Sequence, residues 1–272
     1  MVEIMFLGTG AAEAVPAIWC LCENCEAVRR QADSLGKSVR LRTALLINDD
    51  LLIDIGPDVV QAAARFGPRL TSVTTVLVTH GHGDHFDMTN LHLRAPAYRA
   101  QGLPLMTVYG PPQIAAEIEK VKDPGSLMVI ARAVRPFERF EAGPYAVASF
   151  PATHSSQQPL IYAIARGGKK ALVAFDTGPL APEAWNGLAE HVFDAVIMEE
   201  TMGRLRLDSH MSIADVIAAK QRMEKEGMLS QGCRFMVTHM SHHANPLHEE
   251  LESLMRPHGI EVAYDGLRIT IA

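Results

Sequence analysis

VTHGHGDHFD, residues 78–87, places three histidines and two aspartates within ten positions. It follows directly on the apolar run TTVLV (74–78), which predicts a buried strand. Side chains two apart in an extended chain point the same way, so His80 and His82 can reach one metal ion from the loop that leaves this strand. Asp84 and His85 follow as the backbone turns and are expected at a second ion. The segment therefore predicts a metal centre at a strand end.

Two local patterns each occur twice along the chain, in the same order. LLIDIG (51–56) and LVAFDTG (172–178) both run an apolar strand into Asp-x-Gly, whereas VLVTHGHGDH (76–85) and FMVTHMSHH (235–243) both run one into Thr-His. This pairing predicts two similar halves that face each other, with four strand ends converging on one edge. The later strand ends supply further candidate ligands, which are His154, Asp176 and His239.

The ligand types indicate the chemistry of this centre. Imidazole suits zinc, iron or manganese, carboxylate suits harder ions, and a mixed set is typical of hydrolytic centres. Two cations about 3.5 to 4 Å apart can lower the pKa of a bridging water, which then attacks as hydroxide near neutral pH. They also neutralise charge that develops on a phosphoryl or carbonyl oxygen in the transition state. The predicted reaction is therefore hydrolysis without a Ser or Cys nucleophile.

The composition is that of an ordinary globular protein. Hydrophobic residues make up 48% and charged residues 21% of the 272 residues, which excludes disordered and fibrous classes. We see no linker rich in Gly, Ser or Pro, so one domain over residues 1–272 is expected. The net charge of −6 gives no general attraction to nucleic acid or to an anionic membrane. The N-terminal MVEIMFLGTG predicts a first strand and not a signal peptide, and no apolar segment approaches the roughly 18 residues of a membrane span. We expect a cytoplasmic protein.

Strand patterns outnumber helical patterns along the chain. Strands are predicted at 3–7, 44–47, 51–53, 75–78, 105–109, 146–150, 160–165, 171–175, 195–198, 235–237 and 267–271. Helices are predicted at 23–32, 57–65, 112–122, 182–190, 213–225 and 246–255. The helices fall between groups of strands, without the strict alternation of a doubly wound parallel sheet.

Three of the four cysteines lie in one short run, Cys20-Leu-Cys22-Glu-Asn-Cys25. In a reducing compartment this spacing favours metal binding over disulfides. Three thiolates are one ligand short of a closed tetrahedral zinc site. Cys233 is left over and is predicted to lie in the core.

Taken in order, the motifs resemble one known family over nearly the whole chain. They are FLGTG, LLIDIG, THGHGDH, THS, FDTG, SHMS and VTHMSHH, and the family is the metallo-β-lactamase superfamily in its phosphodiesterase and tRNase Z branch. GTGAAEAVPAIWCLCENC and VTHMSHH are most similar to the cyclic phosphodiesterases of the carbon-phosphorus lyase pathway. The pyrroloquinoline quinone biosynthesis protein B shares a similar cysteine cluster. The resemblance implies an αββα sandwich of the α/β (α+β) class.

The resemblance also implies a set of ligands and cofactors. His80, His82 and His154 would hold one divalent cation, Asp84, His85 and His239 the other, and Asp176 would bridge the two. Asp54 would support catalysis by orienting a ligand or a loop, and its alternative role is a helix cap before Pro57. The two cations would be Mn²⁺ or Zn²⁺, with iron as a further candidate. A structural zinc would be completed by His242, and His243 remains an alternative at this point.

Two further groups are expected to handle the substrate. His210 in LDSHMSIADV matches the histidine with which this branch protonates the leaving alkoxide, and its alternative is an exposed residue beside a helix cap at Ser212. Arg94 in LHLRAP, and Arg40 and Arg42 in VRLRTALL, are candidates to bind phosphate because guanidinium pairs with phosphate through two hydrogen bonds. Arg94 ranks first because the related cyclic phosphodiesterases have an arginine at the corresponding point.

The function implied by the resemblance is a dinuclear phosphodiesterase for a small cyclic or nucleotide-like diester, with 5-phosphoribosyl 1,2-cyclic phosphate as a specific candidate. Lactone or thioester hydrolysis and tRNA 3′ processing are the enzymatic alternatives. tRNA is disfavoured as a substrate because the acidic chain lacks an evident long basic arm. A non-catalytic metal-binding or carrier module is the alternative from another class. A small phosphodiester is the expected partner, and homodimers are common in the resembled branch.

Overall fold

The computed structural model describes residues 1–30, 36–99, 102–121 and 124–272. Within these residues fourteen strands form two seven-stranded sheets. The first sheet consists of β1 (Val2–Gly8), β2 (Ala44–Ile47), β3 (Leu51–Ile53), β4 (Thr75–Leu77), β5 (Met106–Gly110), β6 (Val129–Ala133) and β14 (Arg268–Ile271). The second sheet consists of β7 (Arg139–Ala142), β8 (Tyr145–Pro151), β9 (Leu160–Arg166), β10 (Lys169–Ala174), β11 (Phe193–Glu199), β12 (Leu229–Thr238) and β13 (Glu261–Val262).

The two sheets repeat one topology. The first runs β14-β1-β2-β3-β4-β5-β6, with β3 to β6 parallel, and the second runs β13-β12-β11-β10-β9-β8-β7, with β10 to β13 parallel. The carboxyl ends of neighbouring parallel strands meet at the same edge of a sheet. The loops after β3, β4, β10, β11 and β12 therefore begin at matching edges. The metal motif and the later candidate ligands at Asp176 and His239 all lie in these loops.

Apolar side chains cover both faces of each sheet, which gives the chain three core layers. Ile4 and Phe6 of β1 pack between the sheets, while Met5 and Leu7 of the same strand face the first helical layer. Strands buried on both faces are near-continuous apolar runs, as the sequence of β1 shows. The layer order is helix, sheet, sheet, helix. The predicted αββα sandwich is confirmed.

The described helices lie outside the sheets and at the loops. They are α1 (Glu23–Arg30), α2 (Val59–Phe66), α3 (Met88–His92), α4 (Pro112–Glu119), α5 (Pro182–Leu188), α6 (Ile213–Lys225) and α7 (His248–Met255). α6 has the predicted bounds because Ser212 caps it and exchanges hydrogen bonds with Asp215. The last residues of the predicted helices 23–32 and 112–122 lie outside the described residues. None of the described helices is long and apolar enough to cross a membrane.

Some elements escaped prediction. β6, β7 and β13 were missed because they are short and partly exposed at sheet edges. α3 was missed because its five residues are too few for a helical period, and it is held by Asp87, whose side chain accepts from Thr89 N–H at 2.8 Å. Helix α2 starts at Val59, two residues later than predicted.

Candidate metal centre

The first ligand cluster combines three histidines with one oxygen of Asp176. His82 Nδ1 lies 3.0 Å from His80 Nε2 and 3.1 Å from His154 Nε2. Asp176 Oδ2 lies 3.5 Å from both Nε2 atoms. Ligand atoms bound tetrahedrally to one zinc ion at 2.0 to 2.1 Å stand about 3.3 Å apart. The four atoms therefore have the spacing of one metal-binding site.

The second cluster uses the other oxygen of the same aspartate. His85 Nε2 lies 3.1 Å from Asp84 Oδ2, 3.3 Å from Asp176 Oδ1 and 3.3 Å from His239 Nε2. His239 Nε2 lies 2.8 Å from Asp176 Oδ1 and 3.7 Å from Asp84 Oδ2. All four residues are buried. The seven predicted ligands thus come together as two clusters that share Asp176.

Divalent cations fit these clusters. Asp176 Oδ1 is buried and faces His239 Nε2 at 2.8 Å and His85 Nε2 at 3.3 Å, so its charge has to be balanced by imidazole protons or by a cation. Burial opposes charge here, yet His239 and His85 hold the pKa of Asp176 well below its usual range. Burial likewise opposes the imidazolium of His239, yet the charge of Asp176 raises its pKa to about 10. The carboxylates thus hold protons on imidazoles, which a cation would displace.

The repeated Asp-x-Gly pattern has a steric cause. A Cβ on Gly56 would stand 1.9 Å from Asp84 O, and one on Gly178 would stand 1.8 Å from Asp208 O. Both contacts are backbone contacts, so a side chain at either position would push the two loops apart. Gly56 lies against the backbone of the Asp84–His85 segment, and Gly178 lies against the backbone of the segment before His210. Glycine therefore allows both loops to approach the centre closely.

Most of the ligand imidazoles have a second partner that orients the ring. His80 Nδ1 lies 3.0 Å from Thr79 Oγ1, His85 Nδ1 2.6 Å from Asp54 Oδ2, His154 Nδ1 3.2 Å from Ser209 O, and His239 Nδ1 2.9 Å from Thr201 Oγ1. Such contacts hold one nitrogen and direct the other at the cluster. Prediction missed Ser209 and Thr201 because each lies far along the chain from the histidine it contacts, Ser209 from His154 and Thr201 from His239.

Asp54 lies beneath the second cluster. It is fully buried, adopts a left-handed conformation (φ 61°) and accepts hydrogen bonds from Thr79 N–H (2.7 Å) and Thr79 Oγ1 (2.9 Å) in addition to its contact with His85. The alternative role as a cap of α2 does not apply, since the residue at that N-terminus is Asp58. Burial raises the pKa of Asp54, opposed by the neighbouring His85. The geometry is that of a residue that orients His85.

His210 lies at the rim of the two clusters. Its ring centroid is 4.8 Å from that of His154 and 6.0 Å from that of His239. Its Nδ1 lies 2.8 Å from Glu199 Oε1. Burial opposes the imidazolium, but the hydrogen bond and charge of Glu199 raise the pKa of His210. A histidine with a raised pKa stays protonated at higher pH, as a proton donor requires.

Glu199 is a functional candidate that sequence reasoning missed. The side chain is fully buried, and its oxygens accept backbone N–H bonds from Thr177 (2.7 Å), Thr201 (3.1 Å) and Met211 (3.2 Å). These bonds hold the carboxylate in one orientation toward His210. The available signal was the apolar run AVIM (195–198), which ends in two consecutive glutamates at a strand end.

The structure places two of the candidate arginines in buried positions where protein groups accept their hydrogen bonds. Arg94 is buried, and its guanidinium donates to Leu127 O (3.1 Å) and Pro104 O (2.6 Å) on the outer side of the first sheet. Arg40 is also buried and donates to Thr9 Oγ1 and Ala263 O. Arg94 donates to backbone oxygens, and Arg40 donates to a hydroxyl and a backbone oxygen, so protein acceptors occupy donors that a phosphate would need.

Arg42 has a different environment. It donates from Nη1 to Asp58 Oδ1 (2.9 Å) and from Nε to Ala12 O (2.7 Å), and it is partly exposed. A substrate phosphate would have to compete with the Asp58 carboxylate for this guanidinium. Its role in substrate binding stays a prediction.

The cysteine cluster fits a zinc ion bound by three thiolates and one imidazole. One donor atom from each of Cys20, Cys22, Cys25 and His242 lies within 4.8 Å of the others, and Cys22 Sγ is 3.4 Å from His242 Nδ1. Burial opposes thiolate formation, but hydrogen bonds from the Cys25 backbone and from His242 lower the pKa of Cys22 to about 6. Thiolate is the form that binds zinc.

The same cluster distinguishes His242 from its neighbour. The side chain of His243 is 55% exposed, against 11% for His242. Only His242 belongs to the group of four donors around the thiols. Cys233 lies away from this group and packs, half-buried, against the core on the outer side of the second sheet.

Comparisons with known proteins agree with this architecture. The family model of the beta-lactamase superfamily domain matches residues 50–240. A ribonuclease Z of Lactobacillus helveticus (strain DPC 4571) is 32% identical over 113 residues, which cover 41% of this chain but only 30% of that protein. A diphosphatase of the PhnP family has a similar crystal structure, with a TM-score of 0.77 at 21% identity over 98% of this chain and 96% of the other. Zn²⁺-bound PqqB from Methylobacterium extorquens superposes with a TM-score of 0.70 at 19% identity, over 98% and 99% of the two chains.

Proposed function

The chain belongs to the beta-lactamase superfamily domain family and is a metal-dependent hydrolase, and from this we propose that it is a dinuclear phosphodiesterase acting on a small cyclic or nucleotide-like phosphodiester. The observation that carries the proposal is the contact of His210 Nδ1 with Glu199 Oε1 at 2.8 Å, beside two ligand clusters that share Asp176. This arrangement combines a site for two cations with a proton donor at its rim. Hydrolysis of an ester with a poor leaving group requires both.

The ligand clusters would hold two divalent cations, Mn²⁺ or Zn²⁺. When bound, such a pair polarises a phosphoryl group and provides a nucleophilic water near neutral pH. The protein's part is to orient the ligands. Thr79, Asp54, Ser209 and Thr201 each hold one imidazole nitrogen, so that the rings are directed before substrate arrives.

His210 supports a phosphodiester over a thioester as the substrate. Its Nδ1 donates to Glu199, so its Nε2 is the nitrogen available to donate a proton to a leaving group. An alkoxide leaving from a phosphodiester needs that proton, whereas a thiolate with an ordinary pKa near 8.5 leaves more readily without it. The donor therefore favours a phosphodiester over a thioester. The similarity to a PhnP-family diphosphatase and to a ribonuclease Z supports phosphoryl chemistry.

A panel of substrates tests the proposal. Metal-stripped protein, reloaded with Mn²⁺ or Zn²⁺, would be given a phosphodiester, a diphosphate ester, a phosphomonoester, a lactone and a thioester. We expect the highest kcat/KM on the diester, and then on ribose cyclic phosphates such as 5-phosphoribosyl 1,2-cyclic phosphate. A higher rate on the lactone or thioester would refute the phosphodiesterase, and cleavage of a tRNA precursor in preference to small diesters would favour the nuclease. Protein that binds both cations but hydrolyses none of these substrates would favour a carrier module.

Asp176→Ala provides the negative control for this panel. Because Asp176 serves both clusters, we expect a loss larger than the roughly 10²- to 10³-fold that follows removal of one electrostatic stabiliser. Asp87→Asn is the matched control within the same motif, since Asp87 lies outside both clusters and asparagine also caps helices well. It should retain activity and metal content.

A further inference from the structure

The turn that follows β1 lies beside the segment that carries His242. Ala11 N–H donates to Met240 O (3.0 Å), and Met240 N–H donates to Thr9 O (3.0 Å). The turn closes with Ala14 N–H on Ala11 O (2.9 Å), and Ala14 adopts a left-handed conformation (φ 59°). These bonds hold Glu13 opposite the loop that contains the two consecutive histidines.

Glu13 directs one carboxylate oxygen at these histidines. Its Oε1 lies 3.6 Å from His242 Nε2 and 3.8 Å from His243 Nδ1. This oxygen is buried and has no hydrogen-bond partner among the residues that the structure describes. A buried carboxylate oxygen without a donor costs free energy. A proton on the facing nitrogen of His242 would satisfy this oxygen.

Zinc at the cysteine cluster would fix the imidazole proton of His242 on the nitrogen that faces Glu13. His242 Nδ1 faces Cys22 Sγ at 3.4 Å, so the imidazole would bind zinc through Nδ1. A neutral imidazole that coordinates a metal through one nitrogen carries its proton on the other. The proton would then lie on Nε2, facing Glu13. Asn24 fixes the backbone of the same histidine, because its Nδ2 donates to His242 O at 2.9 Å.

We propose that Glu13 is the positioning residue that orients His242 as the fourth zinc ligand and favours it over His243. The inference rests on the zinc site assigned to the cysteine cluster and is independent of the substrate. Carboxylate partners of metal-bound histidines fix the ring and raise its basicity, and their loss weakens metal binding about 10- to 100-fold. His243 Nδ1 lies 3.8 Å from the same oxygen, but its side chain is 55% exposed and it does not belong to the group of four donors around the thiols.

Cobalt titration of the metal-stripped protein tests the role of Glu13. Thiolate ligands give Co²⁺ a strong near-ultraviolet charge-transfer absorption, and the two catalytic clusters contain no thiolate. The signal therefore reports the cysteine site alone. For Glu13→Gln we expect the same absorption at saturation and a Kd raised about 10- to 100-fold. Glu13→Asp, which keeps the charge, should recover part of the affinity.

His243→Ala is the matched control, since it removes the neighbouring imidazole. We expect it to bind Co²⁺ like the wild type, and we expect metal-stripped Glu13→Gln to unfold no earlier than metal-stripped wild type. An unchanged Kd in Glu13→Gln would overturn the role of Glu13, as would earlier unfolding of that metal-stripped variant. Equal weakening in His243→Ala would also overturn it, because His243 would then act as a ligand. A wild type without the thiolate absorption would refute the zinc site itself.

Discussion

Two buried carboxylates, one at the edge of each sheet, are held in similar ways. Asp54 follows β3 and accepts a backbone N–H bond at 2.7 Å from the loop after β4. Glu199 ends β11 and accepts one at 2.7 Å from the loop after β10. Each also holds the Nδ1 of one histidine, His85 at 2.6 Å and His210 at 2.8 Å. The same arrangement of strand end, carboxylate and imidazole thus occurs once in each sheet.

The two histidines nevertheless have different tasks. His85 is fully buried and its Nε2 belongs to the second ligand cluster, whereas His210 is half-buried at the rim. Asp54 therefore orients a metal ligand, and Glu199 orients a proton donor. The two pairs differ in where the imidazole lies, because His85 contributes to the second ligand cluster whereas His210 lies outside both clusters that share Asp176.

Among variants outside the seven ligands, the largest effect is expected for the proton donor. His210→Ala should lower kcat on a diester with a poor leaving group by about 10²- to 10⁴-fold, the usual contribution of a general acid. Metal content should stay unchanged because His210 is not among the seven ligands. Steady-state kinetics combined with metal analysis would measure both. A diester with a nitrophenolate leaving group is the control, since it needs no proton and should lose less. Unchanged turnover on the poor leaving group would disprove the assignment.

Removing the charge of Asp54 should weaken metal binding. Asp54→Asn leaves His85 without its charged partner, so the second cluster should bind its cation about 10- to 100-fold more weakly. Activity measured against free metal concentration should show a shifted midpoint, with kcat recovering at excess metal. The claim that Asp54 acts on metal binding and Glu199 on the proton donor would fail on one result. That result is a lowered kcat that excess metal does not restore, with an unchanged midpoint of activity against free metal concentration.

A smaller effect is expected from Glu199→Gln. Glu199 raises the pKa of His210, so the protonated donor persists to higher pH and activity falls only as pH rises through that pKa. The variant lowers this pKa, and the basic limb of the kcat profile should therefore move to lower pH. Metal content should match the wild type. Thermal unfolding at one pH would check that the loss of charge has not unfolded the buried site. A basic limb that does not move would show that Glu199 does not control the donor.

The cysteine cluster should affect chemistry least, because it contains neither of the carboxylate-held histidines. Cys22→Ser should lose one tightly bound zinc and lower the free energy of unfolding by at least about 2.7 kcal/mol, the contribution of a ligand present at about 100 times its Kd. The kcat at a temperature where the variant stays folded should change little. Zinc counting and denaturant unfolding are the measurements. A zinc count equal to that of the wild type would exclude the site.

Much of the fold could be predicted because the strands bury both faces. Such strands are short apolar runs, and β2 and β3 have the predicted bounds. The edge strands β6 and β7 could not be predicted in this way, since several of their side chains are exposed and their pattern is mixed. β6 is defined by its pairing with β5 and β7 by its pairing with β8, and the mixed pattern of the edge strand itself shows neither pairing.

The candidate site also contains residues that local spacing predicts and residues that it does not. His80, His82, Asp84 and His85 lie within six residues, so their spacing alone predicted that they could converge. Arg94 lies two residues beyond α3 and seemed equally close to the chemistry. Its guanidinium instead meets backbone carbonyls on the outer side of the sheet. Distance along the chain does not show to which side of a sheet a side chain turns.

The sequence by itself determined the residue types, the strand ends that carry them and the hydrolytic chemistry that such ligands support, because these depend on local spacing and on the preferences of each ligand. Only the tertiary structure decided which carboxylate faces which imidazole. Glu199 reaches His210 across eleven residues, and Glu13 reaches His242 from the opposite end of the chain. The first contact closes within the loop that follows β11, and the second joins the loops after β1 and β12, so the folding of these loops at the sheet edges sets the distances.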